Sequence, residues 1–396
     1  MAVADGDSCA HDVVFAGMCC QCHRNVSSLA ENMARQRPGF LTTSLDLQVS
    51  ASLLSSLDAA EQLRRASQKK LVLIIDLDHT LVTADVRDIR NASAGLRVRK
   101  RPGVDGFLQG MKDTCDMYVY TQATGAYAQR VLQILDPRSS FFGDPPRIFH
   151  RGNTPQGLKD LAQILPNDAS HALVVDDREE VWPSAVRESQ LLKVVPYLPF
   201  PGDARQSVDF EGFLTGSNRA REPPRTEEDT KRQKIEEPVA FCDLDWPGRT
   251  RDDQFEHLGD ILRKLHEAVF PATDDGQGGS VASTLPVLRR KTLQGCRLCL
   301  TGFCGAASEV PKGSNKSLLG LGAVMVRTPD DATHVVAARR TEKWARAQAL
   351  QREGRVFLVH PGWLLYAAVT WQRPCELKPS DCQVLFPIWL LLSLTP

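Results

Sequence analysis

The chain has no excess of either charge and no apolar run long enough to cross a membrane. Its 48 Lys and Arg residues balance 48 Asp and Glu residues over 396 positions. With no net charge there is no overall field to draw it to nucleic acid or an anionic membrane, so no direct nucleic-acid partner is expected. The apolar C-terminal segment is about half the roughly 20 residues that a spanning helix needs, so no membrane partner is expected either. We expect this apolar segment to form a tail that is either packed against the protein or exposed.

Two further signals are missing. The N-terminal residues lack the basic head and apolar core of a secretory signal, and no P-loop motif G-x-x-x-x-G-K-S/T occurs. Without a secretory signal, the 11 Cys are expected to be reduced thiols of the cytosol or nucleus. A hydrophobic content of 42% and a charged content of 24% are ordinary for a soluble globular protein. The length allows two or three domains.

Composition divides the chain into successive segments. The prediction is a Cys/His segment (1–40), an α/β domain (41–202), a charged flexible linker (203–252), an amphipathic helix and connector (253–290), a second α/β domain (291–385) and an apolar tail (386–396). In the first domain, aliphatic runs alternate with helical patterns, which predicts a parallel sheet with helices on both faces. The linker is charged, contains Pro and has few apolar side chains, so it cannot order itself by burial.

Two carboxylates follow the first predicted buried strand. The stretch LVLIIDLDHTLVT, starting at Leu71, places Asp76 and Asp78 after five aliphatic residues. Ligands of parallel sheets bind at the carboxyl ends of strands, and alternate side chains of an extended chain point the same way. The two carboxylates can therefore line one crevice, although Asp-x-Asp-x-Thr alone also fits a coincidental turn.

Three later features strengthen that hypothesis. Thr121 ends the strand-like YVYT, Lys159 lies at a predicted helical start, and Asp176 and Asp177 end the strand-like ALVV. A hydroxyl and an ammonium suit a phosphoryl group, and carboxylate oxygens are ligands that Mg²⁺ prefers. Each feature alone is also typical of a cap, a solvated lysine or a turn, but together they favour a phosphate-handling site.

The order of these residues resembles the haloacid dehalogenase superfamily of phosphotransferases. The longer stretches DLDHTLVT, RKRPGVDGFL, VYTQATGAYAQRVLQILDP and VVDDREEVWP resemble more narrowly the TFIIF-associating phosphatases of the RNA polymerase II C-terminal domain. The resemblance implies a nuclear serine phosphatase, with the phosphorylated polymerase tail as substrate and TFIIF as a partner. A small basic run in the linker, KRQK at 231–234, fits a nuclear import signal and equally a solvated linker.

The resemblance also assigns roles in catalysis. Asp76 would be the nucleophile that forms an aspartyl-phosphate, and Asp78 the general acid and then the base. Mg²⁺ would be held by Asp76, by the backbone carbonyl of Asp78 and by Asp177, with support from Asp176. Thr121 and Lys159 would stabilise the transferring oxygens.

Three more residues match positions that bind substrate or orient the loop in that family. Thr80 would orient the loop, and the guanidinium groups of Arg101 and Arg151 would bind phosphate. Arg101 also fits a solvated basic run with its neighbours. The segment after Arg151 reads HRGNTPQG, where the family is acidic and contains serine, so the surroundings of Arg151 are expected to differ.

The spacing of the motifs predicts an uncapped site. Residues 84–100 and 158–173 are each too short for a lid domain, because domains typically need about 50 residues or more. An open site can receive a polypeptide, whereas phosphatases of small molecules usually need closure to exclude water. The expected substrate is therefore a phosphoprotein.

The C-terminal segment resembles a BRCT domain. It shows a strand LCLT, a glycine turn, a strand THVV and Trp363 in the last helix, where we expect a core aromatic. BRCT domains that bind phosphopeptides use residues that match Thr301, Gly302 and Lys343. Many single BRCT domains instead pack only against a neighbour, so both interpretations stay open.

The N-terminal segment carries a candidate zinc site. Cys9-x-His11 and Cys19-x-x-Cys22 offer four soft ligands, although a cluster of buried or reactive thiols fits equally well. For the whole chain, two other functions compete with the phosphatase: a phosphopeptide adaptor with an inactive α/β domain, and a DNA-end phosphatase. The complete set of acidic residues and Lys159 opposes the first, and the zero net charge opposes the second.

Overall fold

The computed structural model describes residues 9–26, 47–84, 97–153, 157–197, 252–272, 279–303 and 320–376, together with the short strands at 35–36, 248–249 and 386–387. Most of the predicted linker, including the basic run at 231–234, and most of the apolar tail lie outside these residues. None of the helices in the described part has both the length and the apolar character needed to cross a bilayer.

The strands are, in chain order, β1 Val13–Phe15, β2 Met18–Cys19, β3 Arg35–Gln36, β4 Leu47–Ser50, β5 Leu71–Ile75, β6 Val82–Ala84, β7 Val98–Lys100, β8 Cys115–Tyr120, β9 Ile148–Phe149, β10 Ala172–Asp176, β11 Leu191–Lys193, β12 Gly248–Arg249, β13 Arg297–Thr301, β14 Val324–Met325, β15 His334–Ala337, β16 Phe357–Val359 and β17 Phe386–Pro387. The helices are α1 Ala51–Ser67, α2 Val104–Met111, α3 Gly125–Leu135, α4 Ser184–Ser189, α5 Gln254–Val269, α6 Val281–Arg290, α7 Glu342–Arg352 and α8 Pro361–Thr370.

A five-stranded parallel sheet forms the centre of the first domain, in the order β11-β10-β5-β8-β9. Strand β5 is buried throughout and lies between β10 and β8. Its side chains alternate: Leu71, Leu73 and Ile75 join the core on one face, and Val72 and Ile74 join the core on the other. This burial on both faces explains the unbroken aliphatic run in the sequence.

Helices cover both faces of this sheet, as predicted. Helices α2, α3, α5 and α6 pack on the face that carries Leu73. The 3₁₀ turn Leu161–Gln163 and helix α4 pack on the face that carries Ile74. The predicted helical start near Lys159 is therefore this single 3₁₀ turn. Within the described span 157–197 no lid domain interrupts the sheet, whereas 85–96 lies outside the described residues.

The predicted separation of 253–290 from the phosphatase domain needs correction. Apolar residues of α5 and α6 belong to the same buried core as β5, and Phe255 stacks on Phe107 with ring centroids 4.8 Å apart. The predicted helical spacing is confirmed, but its apolar face completes this domain's core. A cluster of aliphatic side chains faces that core: Leu258, Ile261, Leu262, Leu265 and Val269.

A second parallel sheet, in the order β14-β13-β15-β16, forms the C-terminal domain. Helix α8 packs on one face and α7 on the other. Trp363 is 1% exposed, stacks on His334 and donates its indole N–H to the Pro374 carbonyl at 3.1 Å. The expectation of a core tryptophan is thereby confirmed.

Candidate active site

Three of the predicted site residues meet at one edge of the central sheet. Asp76 directly follows β5, Thr121 directly follows β8, and Asp176 ends β10. Because these strands are parallel neighbours, their carboxyl ends lie side by side. The backbone N–H of Asp76 donates to the Val175 carbonyl at 2.9 Å, which fixes the loop against the adjacent strand.

Lys159 joins two of the carboxylates. Its Nζ lies 2.6 Å from Asp76 Oδ1 and 2.6 Å from Asp176 Oδ2, and the residue is 1% exposed. Burial lowers the pKa of the amine, but the carboxylates of Asp176 and Asp76 outweigh it and raise the pKa above its ordinary value. The ammonium also lies 5.6 Å from the ring centroid of Tyr120 and 5.5 Å from that of Trp182. Lys159 is therefore a fixed cation in a buried site.

Asp76, Asp176 and Asp177 form a candidate metal centre. Each offers a carboxylate oxygen, and these oxygens lie within 4.8 Å of one another. Burial raises the pKa of Asp76 well above its ordinary value despite Lys159, and burial together with Asp176 raises the pKa of Asp177 to about 7. A divalent cation would relieve this crowding of negative charge, and an all-oxygen donor set fits Mg²⁺.

The side chain of Asp78 is directed elsewhere. Its Oδ1 accepts a hydrogen bond from the Tyr127 hydroxyl at 2.5 Å. Burial raises the pKa of Asp78, and the bond from Tyr127 opposes that rise. The side chain therefore lies outside the group of three carboxylates, and the contribution of its backbone carbonyl to the metal stays a prediction.

Sequence reasoning missed Tyr127 and Trp182 as parts of the site. Tyr127 lies in the first turn of α3, which follows the strand that ends before Thr121. The Trp182 indole N–H donates to Asp176 Oδ2 at 2.8 Å, which holds this carboxylate beside Lys159. Both residues occur in the quoted motifs, but no spacing rule connects them to a carboxylate.

The two threonines of the site are buried. Thr80 is 0% exposed, and its hydroxyl donates to Asp177 Oδ1 at 3.4 Å. Thr121 is 1% exposed, and its hydroxyl accepts the Ala123 N–H at 3.0 Å. Since that oxygen is the acceptor, the Thr121 hydroxyl hydrogen is free to point toward a phosphoryl oxygen.

The structure gives Arg101 a different environment from the predicted phosphate contact. It is 2% exposed, and its guanidinium donates to Asp252 Oδ2 at 2.7 Å, Gln254 Oε1 at 2.6 Å and the Val195 carbonyl at 2.8 Å. It is therefore not part of a solvated basic run. These contacts attach the start of α5 to the sheet and leave the guanidinium enclosed by protein groups.

Two exposed guanidinium groups meet at Gln122, beside Thr121. The predicted Arg151 donates from Nε to the Gln122 carbonyl at 2.8 Å. Arg178, which the sequence reasoning missed, lies 3.4 Å from Gln122 Oε1 and also binds Glu180 at 2.7 Å. These groups place positive charge beside Thr121, at the same edge of the sheet as the three carboxylates.

The candidate phosphopeptide residues of the C-terminal domain are brought together. The Thr301 hydroxyl lies 2.7 Å from the hydroxyl of Thr341, which caps the helix that carries Lys343 in its first turn. Gly302 has φ +76°, and an added Cβ would clash with the Arg339 amide nitrogen. Only glycine fits here, because the chain passes close to Arg339 in the segment that precedes the helix.

The N-terminal Cys and His residues also meet. Cys9, His11, Cys19 and Cys22 each place one ligand atom within 4.8 Å of the others. In the described residues, this cluster and the three aspartates are the two groups with the composition and spacing to hold a metal ion.

Residues 71–218 match the family of NLI interacting factor-like phosphatases. The chain is 26% identical to an RNA polymerase II C-terminal domain phosphatase of Schizosaccharomyces pombe, over 96% of this chain and 67% of the relative. It is 24% identical to the protein of the same name in Saccharomyces cerevisiae, over 96% of this chain and 66% of the relative. It thus spans about two thirds of the length of these two proteins.

The solved structure of the fission yeast RNA polymerase II CTD phosphatase Fcp1 bound to beryllium fluoride is also similar. The two share 26% identity with a TM-score of 0.57, and the match covers 83% of this chain and all of the solved chain. The predicted haloacid dehalogenase fold with a BRCT domain is thereby confirmed. Residues 71–218 thus match a phosphatase family, and the chain is similar over most of its length to RNA polymerase II C-terminal domain phosphatases.

Proposed function

We propose that this chain is a Mg²⁺-dependent protein serine phosphatase that dephosphorylates the C-terminal heptad repeats of RNA polymerase II. Its domain family and the names of its homologues support a protein phosphatase and this substrate. The observation that carries the proposal is the ion network in which Lys159 binds Asp76 and Asp176 at the sheet edge.

In the first step, an Asp76 carboxylate oxygen attacks the phosphorus and the bond between phosphorus and the serine oxygen breaks. The serine oxygen leaves with a proton from Asp78. Burial raises the pKa of Asp78, which favours the protonated form that this step needs. The product is an aspartyl-phosphate on Asp76 and a free serine hydroxyl.

In the second step, a water molecule attacks the phosphorus of the aspartyl-phosphate. Asp78, now a carboxylate, takes a proton from the water, and the bond from Asp76 to phosphorus breaks. Inorganic phosphate leaves, and both side chains return to their starting protonation states. The Tyr127 hydrogen bond holds Asp78 in one orientation for both transfers.

Mg²⁺ would be held by Asp76 and Asp177 with support from Asp176, and it supplies the charge that lets carboxylate and phosphate approach each other. Lys159 and the Thr121 hydroxyl would stabilise the equatorial oxygens of the transferring group. Arg151 and Thr80 would bind phosphate and orient the loop, respectively. For Arg101 we propose a positioning role in place of direct phosphate contact, because its partners enclose it.

The test uses the full chain and a panel of singly phosphorylated heptad peptides. Release of phosphate is expected with Mg²⁺, loss in EDTA, and recovery when Mg²⁺ is restored. Asp76→Asn is expected to abolish turnover, and beryllium fluoride is expected to inhibit the unmodified chain. Turnover by Asp76→Asn, or turnover that persists in chelator, contradicts the mechanism.

The remaining partners are part of the same proposal. A phosphatase of the polymerase tail would act in the nucleus, and by resemblance TFIIF would be a partner. Thr301, Gly302 and Lys343 would bind a phosphorylated segment and raise its local concentration at the phosphatase site, to roughly millimolar for a short tether. The proposed ligands of Zn²⁺ are Cys9, His11, Cys19 and Cys22.

A phosphopeptide adaptor with an inactive phosphatase domain is the second candidate. The arrangement that favours it is the meeting of Thr301 with the start of the helix that carries Lys343. The intact network of Asp76, Lys159 and Asp176 opposes it, because an adaptor does not need a buried ammonium between two carboxylates. The peptide assay separates the two functions.

A further inference from the structure

The Cys/His cluster has the interatomic distances of a tetrahedral zinc site. Cys9 Sγ lies 3.7 Å from Cys19 Sγ, and Cys22 Sγ lies 3.4 Å from His11 Nδ1. Bond lengths of about 2.3 Å to sulfur and about 2.0 Å to nitrogen place tetrahedral ligands about 3.8 Å and about 3.5 Å apart. Four side chains from two separate turns therefore already surround a space of the right size.

The backbone around the cluster is shaped for metal ligation. The Gln21 N–H donates to Cys19 Sγ at 3.4 Å, so a backbone amide supports the sulfur inside the Cys-x-x-Cys turn. His11 adopts φ 50° and His23 adopts φ 58°, a left-handed conformation that ordinary side chains seldom take. Such turns persist only where the surrounding structure fixes them.

Among the residues that the structure describes, the apolar core of this unit is too small to do so. Its buried cluster there consists of Val14, Cys19 and Val26, with Cys9 and Cys22 partly buried against them. A core of this size falls far short of what a small domain needs without a metal or disulfides. The described cysteines of the cluster are free thiols, which leaves a metal as the cross-link.

The cluster is directly connected to the phosphatase domain. Strand β1 pairs with β4. The Asp12 carboxylate accepts a hydrogen bond from the Ser50 hydroxyl at 2.5 Å, and the Asp12 backbone carbonyl accepts one from the Ser50 N–H at 2.8 Å. Ser50 is the N-cap of α1 and accepts the Leu53 N–H at 3.2 Å. Asp12, the residue next to the candidate ligand His11, therefore holds the Ser50 cap of α1 in place.

Helix α1 in turn binds the rest of the phosphatase domain through charged contacts. Arg64 pairs with Asp116 of β8, and Asp58 accepts the backbone N–H of Asn167 at 3.3 Å. Only Leu54 contributes a fully buried apolar side chain from this helix. With so little apolar burial of its own, α1 depends on its capped N-terminus.

From these contacts we infer that Cys9, His11, Cys19 and Cys22 bind a structural zinc ion that anchors the N-terminal sheet and the capped start of α1 to the phosphatase domain. The inference rests on the zinc site proposed above and adds its role. The ligand set is closed: three thiolates and one imidazole fill the four positions and leave none for substrate. The metal is therefore structural and separate from the catalytic site.

The test measures the metal content of the full chain and of three variants. The unmodified chain is expected to contain one zinc ion, and Cys22→Ser is expected to lose it. Cys20→Ser is the matched control, because Cys20 is an exposed neighbouring thiol outside the cluster and is expected to keep the zinc. Asp76→Asn is also expected to keep it. When Co²⁺ replaces the zinc, the unmodified chain should show the visible absorption of a tetrahedral thiolate site. Cys22→Ser should not show it.

Hydrogen exchange tests the anchoring. In Cys22→Ser, exchange is expected to increase in β1 and in the first turn of α1, and to stay unchanged in β5. Hydrolysis of a small aryl phosphate should be retained, so loss of zinc and failure of the phosphatase proposal are separate outcomes. An unmodified chain without zinc, equal loss of zinc in Cys20→Ser, or unchanged exchange at α1 in Cys22→Ser would overturn the inference.

Discussion

The Lys159 ammonium lies 2.6 Å from Oδ1 of Asp76, in a site where both side chains are buried. A cation held this close favours the ionised carboxylate and so opposes the rise in the Asp76 pKa that burial causes. It also occupies the position from which it would stabilise a phosphoryl group bonded to Asp76. In the proposed mechanism, Lys159 would therefore act on both the nucleophile Asp76 and the phosphoryl group that Asp76 attacks.

Lys159→Met is expected to lower kcat by at least about 10²-fold, the cost of removing one preorganised charge from a transition state. Turnover of a small aryl phosphate measures the effect, and circular dichroism checks the fold. Lys193→Met is the matched control, because Lys193 pairs with Glu179 outside the carboxylate cluster. Similar losses in both variants would show that the effect is not specific to the site.

Tyr127→Phe is expected to shift the pH–rate profile to higher pH. The Tyr127 hydrogen bond lowers the pKa of Asp78 against the larger effect of burial, so its removal raises that pKa. The loss in kcat at neutral pH should be smaller than the about 10²–10⁴-fold loss expected for Asp78→Asn. Tyr118→Phe, a buried tyrosine on the preceding strand, should leave the profile in place. An unshifted profile in Tyr127→Phe refutes the positioning role.

The metal-free protein is expected to lose stability as pH rises. The pKa of Asp177 is raised from its ordinary 3.8 to about 7 in the folded chain, so the folded state binds more protons between these values. Stability therefore falls across that range and stays low above pH 7. Melting temperatures in EDTA should be higher near pH 5 than near pH 8, and Mg²⁺ should raise them most at pH 8. Asp177→Asn should flatten the curve; the same slope in that variant contradicts this assignment.

Arg101→Met is expected to lower the free energy of unfolding by about 3–5 kcal/mol, because it leaves Asp252 without its buried partner. Denaturant unfolding measures the change, and Arg101→Met with Asp252→Asn should recover part of it. Lys100→Met removes only an exposed pair with Asp105 and should cost about 1 kcal/mol or less. A folded Arg101→Met that keeps its stability but loses peptide turnover would restore the phosphate-binding hypothesis.

Lys343→Ala is expected to weaken binding of phosphorylated heptad peptides and to leave turnover of a small aryl phosphate unchanged. The reason is that Lys343 lies in the first turn of the helix that meets Thr301, outside the phosphatase sheet. Fluorescence anisotropy with matched phosphorylated and unphosphorylated peptides measures the binding. Arg352→Ala, at the opposite end of the same helix, is the control and should bind normally.

Much of the site was predictable because its parts are local. Asp76, Thr121 and Asp176 each follow or end an aliphatic strand, and parallel strands place such positions at one edge. The Cys-x-His and Cys-x-x-Cys pairs are local patterns of the same kind. Tyr127 escaped prediction because it lies 49 residues from Asp78 and its hydroxyl reaches that carboxylate only through the path of the chain.

The sequence alone determined the order of strands and carboxylates, the helical face of 254–269 and the ligand types of both clusters, because these depend on residue type and short spacing. Only the tertiary structure decided which charges meet. Lys159 contacts Asp76, which is 83 residues away in the chain. Arg101 contacts Gln254, which is 153 residues away, and so joins α5 to the sheet instead of facing a phosphate. The energy of a buried charge depends on its neighbours in space, and spacing along the chain does not specify those neighbours.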